Sequence, residues 1–426
     1  MTKDAEYKGF WFLPNKEEKK IPGILYFRAN KEIKLELIGG FETGIQDFLV
    51  SRELDIIHGI TNENKNVTLF NCYRSGNWNL SSKYPTTNYN CHYLIIGKYL
   101  NHAEENVFDR IQIELTSLYD WYPSARIQNT IKFSKDDRAV GVDLSISDSD
   151  YWEKSVQLDD DFTLKIFGNA KYDGSYNQQE FIMSQDTSLE ITGTKSKKSF
   201  VELLNKAEIF KQFLSLASLS TVNYIDLTLF DNEDYQQSDR GKKLFNSNSL
   251  FFIKELENIP KPKRYQFLFT YNDIADVFPD IIIKWYALKE EFAPIRNHLI
   301  ESIKTKKVFT SLDFLITIQA LEGYQRRFID VNNQNKRNIL RNRINELINI
   351  FDSIRKIHNN PIDLTHVVKS RDYYSHFYKK DKNVLDGINL FKLTDQLRTL
   401  LICCILRFIG LDLVLIDKLL NKNEKI

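Results

Sequence analysis

In the segment HVVKSRDYYSHFYKK, residues 366–380, an arginine and a histidine stand five positions apart, at Arg371 and His376. Imidazole is the side chain that exchanges a proton around neutral pH, so it can take one from a hydroxyl or return one to a leaving oxygen. Guanidinium keeps its charge and can hold two phosphate oxygens while negative charge builds on them. The two residue types suit phosphoryl chemistry if both reach one phosphate. The spacing alone does not select that reading. In an ideal helix five residues turn about 500°, which would point Arg371 and His376 about 140° apart. A helix carrying both must start or distort near Arg371, or the arginine must bend back. The competing reading pairs Arg371 with a carboxylate such as Glu322 or Asp372 and leaves His376 half-buried.

The elements around the pair read as a helical bundle. From about Phe309 onward, SLDFLITIQALEGYQRRFI, NILRNRINELINIFDSIRKI and FKLTDQLRTLLICCILRFIG carry apolar residues at i, i+3, i+4 and i+7. Pro361 and Gly387 fall between the periodic stretches. Residues 309–426 have the size of one domain. Residues 1–192 are different in kind. ILYFRA, IKLELI, IIHGI, VTLFNC, YLIIGKYL, FDRIQIEL, GVDLSIS, FTLKIFG and SLEITG are short apolar runs separated by Asn, Asp and Gly turns. Such runs predict a sandwich or a strongly bent sheet, with IIHGI–TNENKN–VTLFNC as a hairpin and Pro22-Gly23 marking a strand entry. Residues 193–308 are mixed and mainly helical, opening with the periodic stretch FVELLNKAEIFKQFLSLASLS. The expected fold class is α+β and multidomain.

Bulk properties narrow the setting. A chain of 426 residues with 42% apolar and 27% charged residues is globular and too long for one core. The net charge is +1, but residues 311–426 hold 19 Lys and Arg against 13 Asp and Glu, a balance of +6, which leaves −5 elsewhere. That asymmetry points weakly to a polyanionic partner. The cysteines show no C-x-x-C spacing, and Cys403 and Cys404 sit inside an apolar run, as buried thiols of a reducing compartment do. The N-terminal MTKDAEYKGFWF lacks the layout of a secretory signal, and the apolar run TLLICCIL is too short to span a bilayer. A cytoplasmic protein without a membrane partner is expected. His58, His92, His102, His298, His358 and His366 form no metal-binding spacing, and no phosphate-binding glycine loop occurs, so neither a metal nor a cofactor is expected.

The R-x4-H motif on the penultimate helical segment, together with the upstream helix FLITIQALEGYQRR, resembles a HEPN domain. More narrowly it is similar to the HEPN domain of ApeA-like anti-phage proteins. The stretches GFWFLPNKEEKKIPGILYF, KLELIGG and IIHGITNENKNVTLFNC are similar to the opening of the ApeA N-terminal domain. The resemblance covers roughly residues 1–190 and 310–426. It implies a C-terminal all-α HEPN bundle and metal-independent cleavage of RNA, tRNA being one candidate, to a 2′,3′-cyclic phosphate and a 5′-hydroxyl. Arg371 and His376 then match the motif. Asp372 takes its polar slot, where many members carry Asn. One motif offers few proton-transfer groups, and HEPN proteins generally dimerise so that two motifs face each other; a homodimer is therefore expected here. Tyr373, Tyr374, Phe377 and Tyr378 would stack on bases or line the core or dimer contact. Lys379 and Lys380 would meet flanking phosphates, or be a solvated turn. Arg326 and Arg327, with Lys336, Arg337, Arg341 and Arg343, would wall a basic cleft, or be ordinary surface charges. The β-rich domain would sense a phage-derived trigger and restrain the nuclease. The alternative is a non-catalytic dimer whose β-rich domain recognises a protein, peptide or carbohydrate.

Overall fold

The computed structural model describes residues 4–29, 31–41, 53–75, 86–122, 127–146, 153–173, 182–239, 241–253, 262–287, 292–305, 311–330 and 339–422. They form two compact units. One comprises Met1–Thr116, Ser124–Glu208 and Asn223–Asn258; the other comprises Ser117–Pro123, Ile209–Val222 and Ile259–Ile426.

The first unit is built on strands. β1 (Ala5–Phe12), β2 (Ile21–Arg28), β3 (Glu32–Ile38), β4 (Glu53–Thr61), β5 (Asn66–Ser75) and β6 (Thr86–Ile96) pair in the order β6-β3-β2-β1-β4-β5. β5 then pairs back onto β6, which closes a barrel. The sandwich-like expectation thus resolves into a barrel with further strands attached. Alternation does the sorting: Leu25 and Phe27 on β2, and Ile33, Leu35 and Leu37 on β3, point inward with Trp11, Ile57, Leu69 and Tyr89. Trp11 lies flat against Gly59, its cross-strand partner, where a Cβ would sit 2.3 Å from the indole. Only glycine leaves that space. The TNENKN turn joins β4 to β5 as the sequence indicates, with Asn64 in a left-handed conformation at φ 58°. Pro22 and Gly23 lie inside β2 rather than ahead of it.

β6 is shared between the barrel and an open sheet. One edge pairs with β5 over residues 88–96, while the other pairs with β3 over residues 86–90 and with a later strand over residues 93–96. That strand is β14 (Lys243–Phe252), and the sheet continues through β13 (Tyr224–Gln237), β7 (Arg110–Leu115), β12 (Ile182–Gly193), β11 (Phe162–Asp173) and β10 (Glu153–Gln157). A hairpin of β8 (Ile127–Phe133) and β9 (Ala139–Ile146) forms a separate two-stranded sheet. Asp231, with its side chain only 7% exposed, binds Lys197 at 2.8 Å and also Lys98. These two ammonium groups hold its carboxyl down at about 2 although burial opposes them. Cys72 and Cys91 face each other across β5 and β6 as buried free thiols, and burial raises Cys91 well above its ordinary value.

The second unit is helical. Helix α1 (Phe200–Ser218) contributes Phe210 and Phe213 to an aromatic cluster around Trp121, with Tyr271 and Phe278. Phe278 opens α2 (Phe278–Tyr286), whose Trp285 donates from Nε1 to the Ile209 carbonyl at 2.9 Å. There follow α3 (Ala293–Thr305), α4 (Ser311–Tyr324) with a wider turn over Gln325–Ile329, α5 (Leu340–Ile350), α6 (Leu364–His376), α7 (Gly387–Phe408) and α8 (Leu413–Lys422). The apolar run LLICCIL lies on α7, where Leu400 through Leu406 are all buried. A helix that is apolar all round is a central one, and α7 packs against α3, α4, α5 and α8. Among the described residues no helix is long and apolar enough to cross a membrane.

Candidate active site

The R-x4-H motif sits on α6. Asp363 caps the helix, its carboxylate accepting the Thr365 N–H at 2.7 Å. Val367 and Ser370 are buried, Arg371 and Asp372 are half-buried, and His376 is exposed. The helix runs unbroken through Arg371, so no new start or distortion there brings the pair together. It ends at His376, because Phe377 adopts a left-handed conformation (φ 57°) while its N–H still donates to the Tyr373 carbonyl at 3.0 Å.

Arg371 Nη1 donates to His376 Nε2 at 2.9 Å and to Asp372 Oδ1 at 3.2 Å. The arginine bends along the helix, and His376 leans back toward the N-terminus as helical side chains do. The 140° offset is bridged by side-chain length alone. A guanidinium can only donate, so Nε2 is the acceptor and the ring proton of neutral His376 sits on Nδ1. Asp372 does pair with Arg371, but Glu322 does not: it binds Arg343 at 3.0 Å. The Tyr378 ring lies 5.5 Å from the His376 ring.

The loop after His376 is strapped to α6. His366 Nδ1–H donates to the Asn383 carbonyl at 2.8 Å, the Leu385 N–H donates to Ser370 Oγ at 3.0 Å, and the Tyr374 hydroxyl donates to the Leu385 carbonyl at 3.0 Å. Burial raises the Tyr374 phenol above its ordinary value. Tyr374 also meets Phe314 of α4 edge-on, with ring centres 6.4 Å apart. Lys380 pairs with Asp386, whose carboxylate raises the lysine above its ordinary value; Lys379 is exposed. Of the strap residues, Tyr374 is the one that the sequence singles out, as a stacking or core aromatic, and its hydroxyl ties the loop instead. The signal also present was Ser370, a polar residue three positions from Val367 on a face that must be buried.

Arg326 and Arg327 are exposed at the far end of α4. Phe314, beside Tyr374, is twelve residues earlier, about 18 Å along the axis. Within one chain the fold does not bring these arginines to Arg371 and His376. Arg343 and Arg341 brace helices, Arg341 donating to Thr365 Oγ1 at 2.9 Å. Lys336 and Arg337 lie outside the described residues. Among the described residues no group of three or more His, Cys, Asp or Glu is placed to hold a metal ion.

The family described as ApeA N-terminal domain 1 matches residues 6–285, well over half of the chain. Its match runs past residue 192 through the stretch that carries β13 and β14, the strands that join β7 to β6. The family described as Apea-like HEPN matches residues 315–414, which span α4 to the start of α8 and include Arg371 and His376. No curated protein and no solved structure matches the chain. The barrel-bearing N-terminal domain and the helical segment that follows it belong together: the chain is a member of the ApeA-like family of HEPN anti-phage proteins, effectors of the nuclease type.

Proposed function

We propose that this protein is an endoribonuclease that acts in abortive infection and cleaves RNA through Arg371 and His376, with Asp372 orienting the arginine. The observation that carries the reading is the 2.9 Å contact between Arg371 Nη1 and His376 Nε2 at the exposed end of a helix. It supports the reading because one phosphodiester within reach of both nitrogens would meet a proton-transfer group and a fixed positive charge. When a phosphate arrives, it offers Arg371 a stronger, charged acceptor than the imidazole does. The arginine moves to the phosphate oxygens and releases the Nε2 lone pair to take the proton of the ribose 2′-hydroxyl. The 2′-oxygen bonds to phosphorus, the bond from phosphorus to the 5′-oxygen breaks, and the leaving oxygen takes up a proton. The products are a 2′,3′-cyclic phosphate and a 5′-hydroxyl. The pair supplies a base and a charge clamp without calling on a metal.

A single motif lacks a second proton-transfer group for the leaving oxygen, so two copies working face to face complete the site. The exposed Phe377 and Tyr378 beside His376 are available for base stacking, and Lys379 for a flanking phosphate. The β-rich domain responds to a phage-derived trigger. The test is cleavage of total cellular RNA in EDTA by the wild type and by His376→Ala, with the ends mapped. Cyclic-phosphate ends that vanish in His376→Ala support the proposal. Activity that requires Mg²⁺ or Mn²⁺, or that survives in His376→Ala, overturns it. Mixing Arg371→Ala with His376→Ala protomers asks whether one site draws on both copies: partial recovery means that it does.

A further inference from the structure

The β8–β9 hairpin is a two-sided ribbon whose apolar side is largely exposed; among the described residues its Ile127 end meets β12, where the Ile127 N–H donates to Gln185 Oε1 at 3.0 Å, while the rest stands open. Ile131 pairs with Val142 and Ile127 with Ile146, so these residues share a face; period two adds Phe133, Val140 and Leu144 to it, with Asn129, opposite Leu144, as its uncharged polar member. Six of these side chains are counted among the exposed large hydrophobics, with Val140 65% and Phe133 60% exposed. The opposite face is polar: Gln128 pairs with Ser145, Thr130 with Asp143 and Lys132 with Gly141. Lys132 and Asp143 neutralise each other there at 2.7 Å. A two-stranded hairpin is barely stable by itself and gains stability when its apolar face packs on further strands.

We infer that this face is an interface with a second copy of the same chain, two hairpins packing apolar side to apolar side. Two observations favour a copy over other occupants. The first is area. Six side chains that each leave on the order of 100 Å² uncovered expose roughly 600 Å², the upper end of the largest patch a monomer usually shows. Two such faces would bury about 1,200 Å², the lower bound for a specific interface. The second is charge. The face carries no ionisable group, Lys132 and Asp143 pair on the other side, and the turn at the tip sets Lys135 and Arg138 against Asp136 and Asp137, so an identical face meets no net repulsion. A symmetric contact of this kind asks for a self-complementary surface, which an uncharged, mostly apolar ribbon is. This inference is independent of the nuclease reading.

The test uses the full chain. Sedimentation at micromolar concentration should give the wild type twice the mass of Val142→Glu, or equal mass if the helical domains hold the same two copies together, in which case the 144-to-144 cross-link decides. Gln128→Glu, a charge on the polar face, should leave the mass unchanged. Leu144→Cys should cross-link to its counterpart through a short bis-maleimide, since the four native cysteines are buried. That cross-link should disappear when Val142→Glu is added. Equal masses for all three proteins with no 144-to-144 cross-link would overturn the inference. So would a cross-link from position 144 to another residue of its own chain. Binding of the wild type but not Val142→Glu to phosphatidylcholine–phosphatidylglycerol vesicles, with no change in mass, would assign the face to a membrane instead.

Discussion

Arg371 Nη1 lies 2.9 Å from His376 Nε2, so the arginine occupies the lone pair that a general base would use. In ¹⁵N spectra the neutral His376 ring of the wild type should carry its proton on Nδ1. Adding inorganic phosphate or substituting Arg371→Ala should release that preference. A ring already protonated on Nε2 in the wild type would contradict the contact.

Arg371→Ala and His376→Ala should each lower RNA cleavage by about 100-fold or more, the scale of losing a proton-transfer or charge-stabilising group. Their melting temperatures should stay close to the wild type, because His376 is exposed and the Arg371–Asp372 pair is a half-exposed ion pair of small worth. Single-turnover cleavage alongside thermal melts checks both statements.

Phe377 combines a left-handed backbone with a side chain that is 90% exposed, so it makes no packing contribution that would repay its strain. Phe377→Gly should hold or raise stability, by up to about 1 kcal/mol, since glycine adopts this conformation without penalty. Cleavage should nevertheless weaken if the ring stacks on a base, with the loss mainly in KM. Unchanged KM would remove Phe377 from the substrate path.

Ser370→Ala strips the acceptor from the half-buried Leu385 N–H and should cost about 1 kcal/mol. The loop of residues 377–386 would lose one of its ties to α6, so activity should fall along with stability. Tyr374→Phe removes a second tie, that to the Leu385 carbonyl, and the double variant should show whether the two share the loop between them. Hydrogen exchange across residues 377–386 reads the loosening directly.

Asp231 gives the β-rich unit a pH dependence whose sign is fixed. Its carboxyl is held at about 2 in the folded chain, below its unfolded value, so the unfolded state binds the proton first as pH falls. The associated stability, about 2–3 kcal/mol, is fully present above pH 4 or so and drains away as the pH approaches 2. Asp231→Asn should therefore be less stable than the wild type at pH 7, and the gap should close between pH 4 and pH 2. A gap that is the same at every pH would show that packing, and not the charge on Asp231, separates the two proteins.

Much of this architecture is written locally. Alternation marks β2, β3, β4 and β5, the TNENKN turn joins two of them, and the 3.6-residue stripes mark α4, α5 and α7, because each of these signals depends only on neighbours along the chain. The motif residues Arg371 and His376 were equally plain as residue types. What neighbours cannot specify is partnership. Barrel closure needs β5 to find β6, and β14 must return from more than 140 residues away to pair with the last residues of β6. The stretch of residues 222–290 reads as mixed in sequence because β13 and β14 are strands only by virtue of that distant sheet. The same limit applied to the motif. Helical geometry set Arg371 and His376 on different faces, and only a folded arginine side chain, with the helix ending at Phe377, brought the two nitrogens together. The sequence by itself determined the early strands, the C-terminal helices and the chemistry on offer, since these follow from local periodicity and residue type. The tertiary structure decided which strands share an edge and which atoms meet, because those outcomes depend on contacts between residues far apart in the chain.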